Sequence, residues 1–235
     1  MDMFGVSHVT IRRDLVELAN QNLIRLDHGG ATNITLLGGI SEPSYDTKIH
    51  YDADKKNAMV REAINVINDD DFLILDAGTT TYLLAKQLAK EKFKSLTVIT
   101  CDLMVAKELS PHPAYTVIML GGILRKPFYN VYGPFLEAEL DKLRGNKLFL
   151  SFDGASITRG ISLTILEEIP VKHKMIEICD EVIAFGDSSK YGVEGLYNVC
   201  GWEKINRVIV DDAIDKTFID FFDTRHISYH IGSRL

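Results

Sequence analysis

The feature that most constrains this chain is a regular alternation of short apolar runs and amphipathic stretches from residue 72 onward. The apolar runs are rich in β-branched residues and read, in order, FLILD (72–76), LTVIT (96–100), YTVIML (115–120), KLFLSF (147–152), EVIAFGD (181–187), RVIVDD (207–212) and a final ISYHI. Continuous apolar strands separated by helices are typical of a parallel sheet that is covered on both faces. The pattern predicts an α/β fold over residues 52–235, with a mostly parallel sheet covered by helices.

Composition narrows the class of protein. A chain of 235 residues with 46% hydrophobic residues can bury one sizeable core and still carry a small appendage. The formal net charge of −7 argues against a surface that binds nucleic acid throughout, so any DNA-binding surface must be local. The three cysteines lie far apart in apolar contexts, as expected of buried thiols in the cytoplasm. No stretch approaches the roughly 18 apolar residues of a membrane span, so no membrane partner is expected.

The strongest local signal follows the first apolar strand, in LILDAGTTTYLLAKQL. Asp76 ends the strand, Gly78 permits a tight turn, and Thr79 and Thr80 open an amphipathic helix. Free backbone amides of Gly78, Thr79 and Thr80, together with the threonine hydroxyls, would form a natural site for an oxyanion. The alternative is ordinary helix capping by threonine. Neither GxGxxG nor Gly-Lys-Ser/Thr is present, so a nucleotide cofactor is not expected.

Three further strand ends carry glycines or polar side chains. The loop MLGGILRK places Gly121 and Gly122, which permit close backbone approach to a ligand, beside Arg125. In FLSFDGAS, Asp153 can accept hydrogen bonds from hydroxyl groups, and in IAFGDSSK, Lys190 offers a second contact for an anion. Ligands of parallel sheets bind at the carboxyl ends of the strands, so these residues are expected to share one pocket.

The residue types in this pocket predict its ligand. Amides, threonine hydroxyls and cationic side chains suit a phosphate group, whereas the carboxylates of Asp76, Asp153 and Glu168 suit the hydroxyl groups of a sugar. A phosphorylated sugar satisfies both sets, and no cofactor is expected. The seven histidines are scattered along the chain, so no metal site is predicted.

A helical segment with two adjacent arginines lies near the start of the chain, in VSHVTIRRDLVELANQNLIRLDHGGA. Ser7 is a good N-cap, and Thr10, Arg12 and Arg13 fall on the early turns of a helix that could face a major groove of DNA. The following LIRLDHGGA, with His28, would form a wing beside that helix. A pair of solvated arginines on an amphipathic helix is the alternative, and residue chemistry alone does not choose between the two.

Six ordered motifs over most of the chain resemble those of the DeoR family of bacterial sugar-responsive transcription regulators. They are VSHVTIRRDL with HGGA, DAGTT, GGILR, DG (153–154), EIPVKHKM (168–175) and DSSKYG. The resemblance implies a winged helix-turn-helix joined to a sensor domain similar in fold to type A ribose-5-phosphate isomerases and CoA transferases. It also implies that the sensor binds a phosphosugar or a related metabolite, with Lys172 among its contacts, and that this binding changes the affinity for operator DNA. A homo-oligomer is the expected assembly.

The chain departs from the family pattern at two places. Cys101 in VITCDL stands where the family commonly has asparagine, so the usual side-chain contact is in doubt there. In the family, helix 1 and most of helix 2 precede FGVS, whereas here only Met1 to Met3 do. The expected organisation is a partial winged helix-turn-helix over 1–31, a linker over 32–51 and the sensor domain over 52–235. Because the recognition helix would lack apolar partners, we expect weak operator binding by this chain.

Two other classes of function compete with a sensor. A phosphosugar isomerase would use Glu168 or Asp153 to move a proton between carbon atoms. Here DGAS stands where type A ribose-5-phosphate isomerases have DGAD, and EEIPVK also fits an ordinary helix start. A purely structural oligomerisation domain would explain the apolar core but not four polar strand ends. The sequence therefore favours a ligand-binding regulator over an enzyme.

Overall fold

The computed structural model describes residues 7–20, 24–27, 30–33, 45–126 and 128–233. Contacts divide the chain into two units, residues 1–51 and residues 52–235. The described part of the first unit contains, in chain order, α1 (His8–Asn20), β1 (Ile24–Asp27), β2 (Gly30–Asn33) and α2 (Tyr45–Lys48).

The described residues of the first unit include a capped helix and an antiparallel hairpin. The Oγ atom of Ser7 accepts a hydrogen bond from the amide of Thr10 at 3.1 Å, which is the N-cap expected from the sequence. Strands β1 and β2 pair antiparallel directly after α1. The expected linker is more regular than predicted, because it includes the end of β2 and all of α2, while residues 34–44 lie outside the described residues.

The second unit is built around one parallel sheet. Its described elements are, in chain order, α3 (Ala53–Asn65), β3 (Phe72–Leu75), α4 (Thr79–Leu88), β4 (Leu96–Thr100), α5 (Leu103–Leu109), β5 (Tyr115–Met119), β6 (Ile123–Arg125), β7 (Asn130–Tyr132), α6 (Pro134–Leu140), β8 (Gly145–Leu150), β9 (Gly154–Ser156), β10 (Gly160–Leu163), α7 (Ile169–Glu177), β11 (Cys179–Phe185), β12 (Tyr197–Cys200), β13 (Arg207–Asp211), α8 (Lys216–Arg225) and β14 (Ser228–Gly232). Short 3-10 helices span Leu166–Glu168, Ser188–Lys190 and Trp202–Lys204.

Seven strands form the main sheet, in the order β14-β13-β11-β8-β3-β4-β5, and every neighbouring pair is parallel. One face packs against α3, α4 and α5 through residues such as Leu73 and Leu75. The other face packs against α6, α7 and α8 through residues such as Ile74 and Leu148. Because both sides of each strand are buried, the strands read as continuous apolar runs. The predicted α/β fold with a parallel, helix-covered sheet is confirmed.

Two smaller sheets extend the unit beyond its main sheet. Strands β6 and β7 form an antiparallel hairpin, and β12, β10 and β9 form an antiparallel sheet in that order. The sequence predicts only a glycine-rich loop where the hairpin lies. The difference arises because β6 and β7 are three residues long, too short to show an alternating pattern.

The strand order of the main sheet reverses between β3 and β8. From β3 the chain proceeds through β4 to β5 on one side, and from β8 it proceeds through β11 and β13 to β14 on the other. At such a switch point the connections after two neighbouring strands leave in opposite directions and open a crevice at the carboxyl ends. The residues that directly follow β3 and β8 are Asp76 and Ser151.

Candidate functional site

Asp76 joins three elements at the switch point. Its Oδ2 atom accepts hydrogen bonds from the amide and the hydroxyl of Ser151, both at 2.9 Å, and from Nζ of Lys172 on α7. Its Oδ1 atom accepts a hydrogen bond from the amide of Ala77 at 2.8 Å. Asp76 is 2% exposed, so this carboxylate is buried and paired with a cation. The sequence predicts Asp76 as a contact for sugar hydroxyls, but here it ties the ends of β3 and β8 to α7.

Lys172 provides the buried positive charge of the site. The residue is 1% exposed, and its Nζ atom also donates to the carbonyl and the hydroxyl of Ser151, at 3.0 and 3.1 Å. Burial lowers the pKa of Lys172, but the charges of Asp76 and Glu168 raise it, and the net pKa lies above its usual value. Lys172 is therefore a fixed cation whose three donors are all engaged, and its contribution to an anion site is its charge.

The start of α4 differs in one respect from the predicted oxyanion site. The amide of Gly78 is not free, because it donates to Oδ2 of Asp102 at 3.1 Å; that part of the prediction is wrong. Within the described ranges the amides of Thr79 and Thr80 form no hydrogen bond. Thr79 and Thr80 are both buried, and the hydroxyl of Thr81 donates to the carbonyl of Gly78 at 2.8 Å. Two amides and two threonine hydroxyls thus remain for an anion.

Asp102 caps the neighbouring helix α5 and is fully buried. Its Oδ1 atom accepts hydrogen bonds from the amides of Met104 and Val105, at 2.7 and 3.2 Å, and its Oδ2 atom accepts the one from Gly78. Burial raises the pKa of Asp102 to about 6, although these hydrogen bonds act in the opposite direction. A second buried carboxylate therefore lies at the start of α4, bonded to the Gly78 amide.

Cys101 lies between these charged groups. It is buried, and burial raises the pKa of its thiol well above the ordinary value, with the charges of Asp76 and Asp102 adding to the effect. The thiol is therefore protonated and does not act as an anionic ligand.

A second cluster joins the β6–β7 hairpin to the 3-10 helix before α7. The Oε1 atom of Glu168 accepts hydrogen bonds from Nη1 of Arg125 at 2.7 Å and from Nδ2 of Asn130 at 2.9 Å. The guanidinium of Arg125 stacks over the ring of Phe128, 3.9 Å from its centroid. Arg125 and Glu168, which the sequence assigns separately to phosphate and to sugar hydroxyls, thus form one ion pair at the site.

A third cluster lies at the ends of β11 and β13. Nζ of Lys190 donates to the carbonyl of Phe152 at 2.7 Å, which places this lysine beside the segment that follows β8. Asp211 accepts hydrogen bonds from the amide and the hydroxyl of Ser188, at 2.6 and 2.9 Å. Burial raises the pKa of Asp187, but the charge of Lys190 and the hydrogen bonds from Ser189 lower it, and the net pKa lies below its usual value. The DSSK segment is therefore held by Asp211 of β13 and by its own Asp187.

The remaining predicted site residues have contacts within the fold. Oδ2 of Asp153 accepts hydrogen bonds from the amide and the hydroxyl of Thr164, at 2.9 and 2.7 Å. The amide of Gly121 donates to Oε2 of Glu139 at 2.8 Å. A Cβ atom at Gly122 would lie 2.6 Å from the carbonyl oxygen of Tyr132, so this glycine is required by the close approach of the hairpin's own backbone.

The structure adds three residues that the sequence analysis misses, Asp102, Asn130 and Ser151. Asp102 has a recognisable signal, because an aspartate between a strand and an amphipathic helix is a favoured N-cap. Ser151 and Asn130 have none, since their importance depends on partners that are distant along the chain.

Of the predicted DNA-contacting residues, Thr10, Arg12 and Arg13 lie on α1, and Ser7 directly precedes it. Ser7, Arg12 and Arg13 are exposed, and Thr10 is half-buried. Nε of Arg13 lies 3.9 Å from a carboxylate oxygen of Asp14. His28 lies outside the described residues.

The described residues offer neither a membrane-spanning helix nor a metal-binding cluster. None of their helices is long and apolar enough to cross a membrane. No group of three or more histidine, cysteine, aspartate or glutamate side chains among them is placed to hold a metal ion.

The family of the chain follows from its matches. Residues 51–212 match the DeoR C terminal sensor domain, and residues 1–36 match the DeoR-like helix-turn-helix domain. The chain belongs to the DeoR family of transcriptional regulators, as its motifs predict. The Bacillus subtilis regulator YulB, itself uncharacterized, is 32% identical over 96% of this chain and 86% of its own length. The repressor GlcR of the same organism is 34% identical over 94% and 83%, and a putative aga operon transcriptional repressor of Escherichia coli O157:H7 is 30% identical over 90% and 78%.

Solved structures share the fold at low sequence identity. The eIF2B delta chain from Chaetomium thermophilum aligns with a TM-score of 0.50 at 18% identity, over 70% of this chain and 58% of that one. Ribose 5 phosphate isomerase A from Neisseria gonorrhoeae aligns with a TM-score of 0.44 at 12% identity, over 60% and 54%. At such identities the likeness concerns the fold alone.

Proposed function

We propose that residues 52–235 bind a phosphorylated sugar at the carboxyl ends of β3, β4 and β8, and that this binding modulates the affinity of the regulator for operator DNA. The observation that carries the proposal is the pair of unbonded amides at Thr79 and Thr80, close in the fold to the buried cation Lys172. A helix start with free amides attracts an anion, and Lys172 offsets the negative charge of Asp76, which would otherwise repel an anion in this region of low dielectric.

The neighbouring polar groups suit the sugar part of such a ligand. Glu168 and Asn130 lie on the hairpin side of the crevice, with Arg125 holding Glu168 in place. Asp153 and Lys190 lie on the β8 side, where Lys190 already donates to the Phe152 carbonyl. Carboxylate and amide oxygens accept hydrogen bonds from hydroxyl groups, so both sides can orient a polyhydroxylated molecule.

Binding is favoured over catalysis by the engagement of both candidate bases. One oxygen of Glu168 already accepts from Arg125 and Asn130, and one oxygen of Asp153 accepts twice from Thr164. A general base must lie within hydrogen-bond reach of the proton that it removes, and these oxygens are directed at protein donors. The relatives are also named as transcriptional regulators. Turnover of any phosphosugar by the purified protein would reverse this conclusion.

Replacing Thr80 with valine is expected to weaken the binding of phosphosugars about tenfold, because a hydrogen bond to a charged group is worth about 1.5 to 3 kcal/mol. A thermal-shift assay with a panel of phosphosugars identifies a ligand first. A ligand at a concentration of about 100 times its dissociation constant stabilises the fold by about 2.7 kcal/mol. Titration calorimetry of the variant then measures the affinity. Thr116→Val, at an exposed position of β5, is the matched control and should bind as the unmodified protein does. Equal affinities of Thr80→Val and the control would contradict the phosphate position.

We further propose that this chain binds operator DNA weakly, because α1 exposes apolar side chains that a DNA-reading helix normally packs against its own domain. Val9 is 79% exposed, and Val16 and Leu18 are also exposed. Selection from a random duplex library at about 50 mM salt should enrich no sequence. The remaining affinity for DNA of any sequence should be lower in the variants Arg12→Ala and Arg13→Ala, because each variant lacks a cation that can contact a DNA phosphate. Tight binding to one enriched sequence would be the contrary result.

A further inference from the structure

Asn130 on β7 carries a buried oxygen with no partner. The residue is 3% exposed, and its Oδ1 atom forms no hydrogen bond with any group that the structure describes. Buried polar atoms are nearly always paired, because an unpaired acceptor has lost its hydrogen bonds to water and has no hydrogen bond in the protein to replace them. The exception at Asn130 therefore needs an explanation.

The orientation of the Asn130 amide is fixed by its neighbours. Its Nδ2 atom donates to Oε1 of Glu168, which is itself held by Arg125. If the amide were turned over, Oδ1 would face Oε1 of Glu168, and two acceptors repel each other. Arg125 in turn stacks on Phe128, so the direction of Oδ1 is set by a chain of contacts.

The backbone of β7 holds Asn130 at the sensor site. Asn130 forms a bridge with Asp102, the amide of Leu103 donates to the carbonyl of Tyr129 at 2.8 Å, and the amide of Val131 donates to the carbonyl of Cys101 at 2.9 Å. These contacts fasten the hairpin to the carboxyl end of β4, beside the start of α4. The unpaired oxygen thus belongs to a residue that is fixed to the carboxyl end of β4, beside the helix start at which the ligand is proposed to bind.

We propose that Asn130 is a specificity-determining residue, whose Oδ1 atom accepts a hydrogen bond from a hydroxyl group of the bound sugar while Glu168 positions the amide. The inference rests on the proposed function. Because Oδ1 is only an acceptor, the ligand must present a donor there, and a deoxy or ether analogue leaves the oxygen unpaired. The class of ligand is therefore a phosphate ester with a free hydroxyl at the position that meets Asn130.

The test compares hydroxylated esters with their deoxy or anhydro counterparts. Titration calorimetry uses ribose 5-phosphate against 2-deoxyribose 5-phosphate, and glucose 6-phosphate against 2-deoxyglucose 6-phosphate and 1,5-anhydroglucitol 6-phosphate, with inorganic phosphate as reference. The unmodified protein should prefer one hydroxylated ester over its counterpart about tenfold. Asn130→Ala should bind both members of that pair equally and weakly, and should bind inorganic phosphate unchanged.

Two further variants separate specificity from folding. Asn130→Leu removes the acceptor while filling the space, and Asn57→Ala, at an exposed position of α3, is the control that should keep the preference. If Asn130→Ala and Asn130→Leu keep the tenfold preference, or lose inorganic phosphate to the same extent, the role of Asn130 is wrong and the proposed function stands. If the unmodified protein binds every ester but prefers none, the role of Asn130 is also wrong and the proposed function stands, and no variant is needed to show it. If it binds none of the probes, the proposed function fails and this inference with it.

Discussion

Replacement of Lys172 with methionine is expected to lower the free energy of unfolding by about 3 to 5 kcal/mol, because it leaves a buried carboxylate without its cation. Asp76 is 2% exposed, and among the residues that the structure describes its only ionic partner is Lys172. Methionine has a similar length, so the loss of packing is small. Most of the cost comes from the charge of Asp76.

Urea denaturation at neutral pH measures this loss, and two further variants identify its cause. The double variant Asp76→Asn/Lys172→Met should recover much of the stability, because no buried charge remains. Lys174→Met, on the same helix, removes a partly exposed lysine that pairs with Asp141 and should cost less than about 1 kcal/mol. If Lys172→Met were as mild as Lys174→Met, the buried pair would not have the role that its geometry indicates.

Replacement of Asp102 with asparagine is expected to strengthen the binding of phosphate esters about tenfold or more at pH 7.5. The carboxylate of Asp102 holds the Gly78 amide at 3.1 Å and places a buried negative charge beside the expected phosphate. Two like charges about 6 Å apart at an effective dielectric constant of about 20 repel each other by about 3 kcal/mol. Asparagine removes the charge, keeps a capping oxygen for α5 and releases the Gly78 amide. Titration calorimetry should therefore show a gain in affinity.

The pH dependence provides a second measurement of the same effect. Burial raises the pKa of Asp102 from 3.8 to about 6, so its carboxyl is ionised at pH 7.5 and largely protonated at pH 5. The stability that it contributes is fully present below pH 3.8 and is lost as the pH rises through about 6. The advantage in stability of Asp102→Asn over the unmodified protein should thus grow by about 2 kcal/mol between pH 4 and pH 7.5.

The gain in phosphate affinity of Asp102→Asn over the unmodified protein should likewise increase with pH. It should be largest at pH 7.5 and nearly vanish at pH 5, where Asp102 is already neutral. The titration of the phosphate ester itself, near pH 6, is common to both proteins and cancels in the comparison. Parallel pH profiles for the two proteins would show that Asp102 does not face the anion.

The elements that could be predicted were those with a strong local pattern. Each main-sheet strand is a continuous apolar run, and DAGTTT marks a helix start directly after a strand. The hairpin of β6 and β7 could not be predicted, because its strands are three residues long and carry no clear period. The two glycines before it were predicted to let the backbone approach a ligand closely, whereas the close approach that the structure shows is between Gly122 and the backbone of Tyr132.

The sequence could name candidate residues for the site but not the contacts between them. Asp76, Arg125 and Glu168 were assigned to a predicted pocket from their residue types, and Lys172 from the family resemblance. Asp76 and Lys172 are 96 positions apart in the chain, and Arg125 and Glu168 are 43 apart, so no local pattern reports that each pair is joined. The expectation of three free amides was wrong for Gly78 because its acceptor, Asp102, arrives from the next strand.

The sequence by itself therefore determined the order along the chain of the main-sheet strands and their helices, the family, and the residue types at the strand ends. These depend on hydrophobic period and on short motifs, which act within a few residues. Only the tertiary structure decided which charges cancel, which amides stay open and that Asn130 keeps an unpaired oxygen. Such properties depend on burial and on distances of about 3 Å between groups that are remote along the chain, and these distances exist only once the parallel sheet has brought its carboxyl ends together.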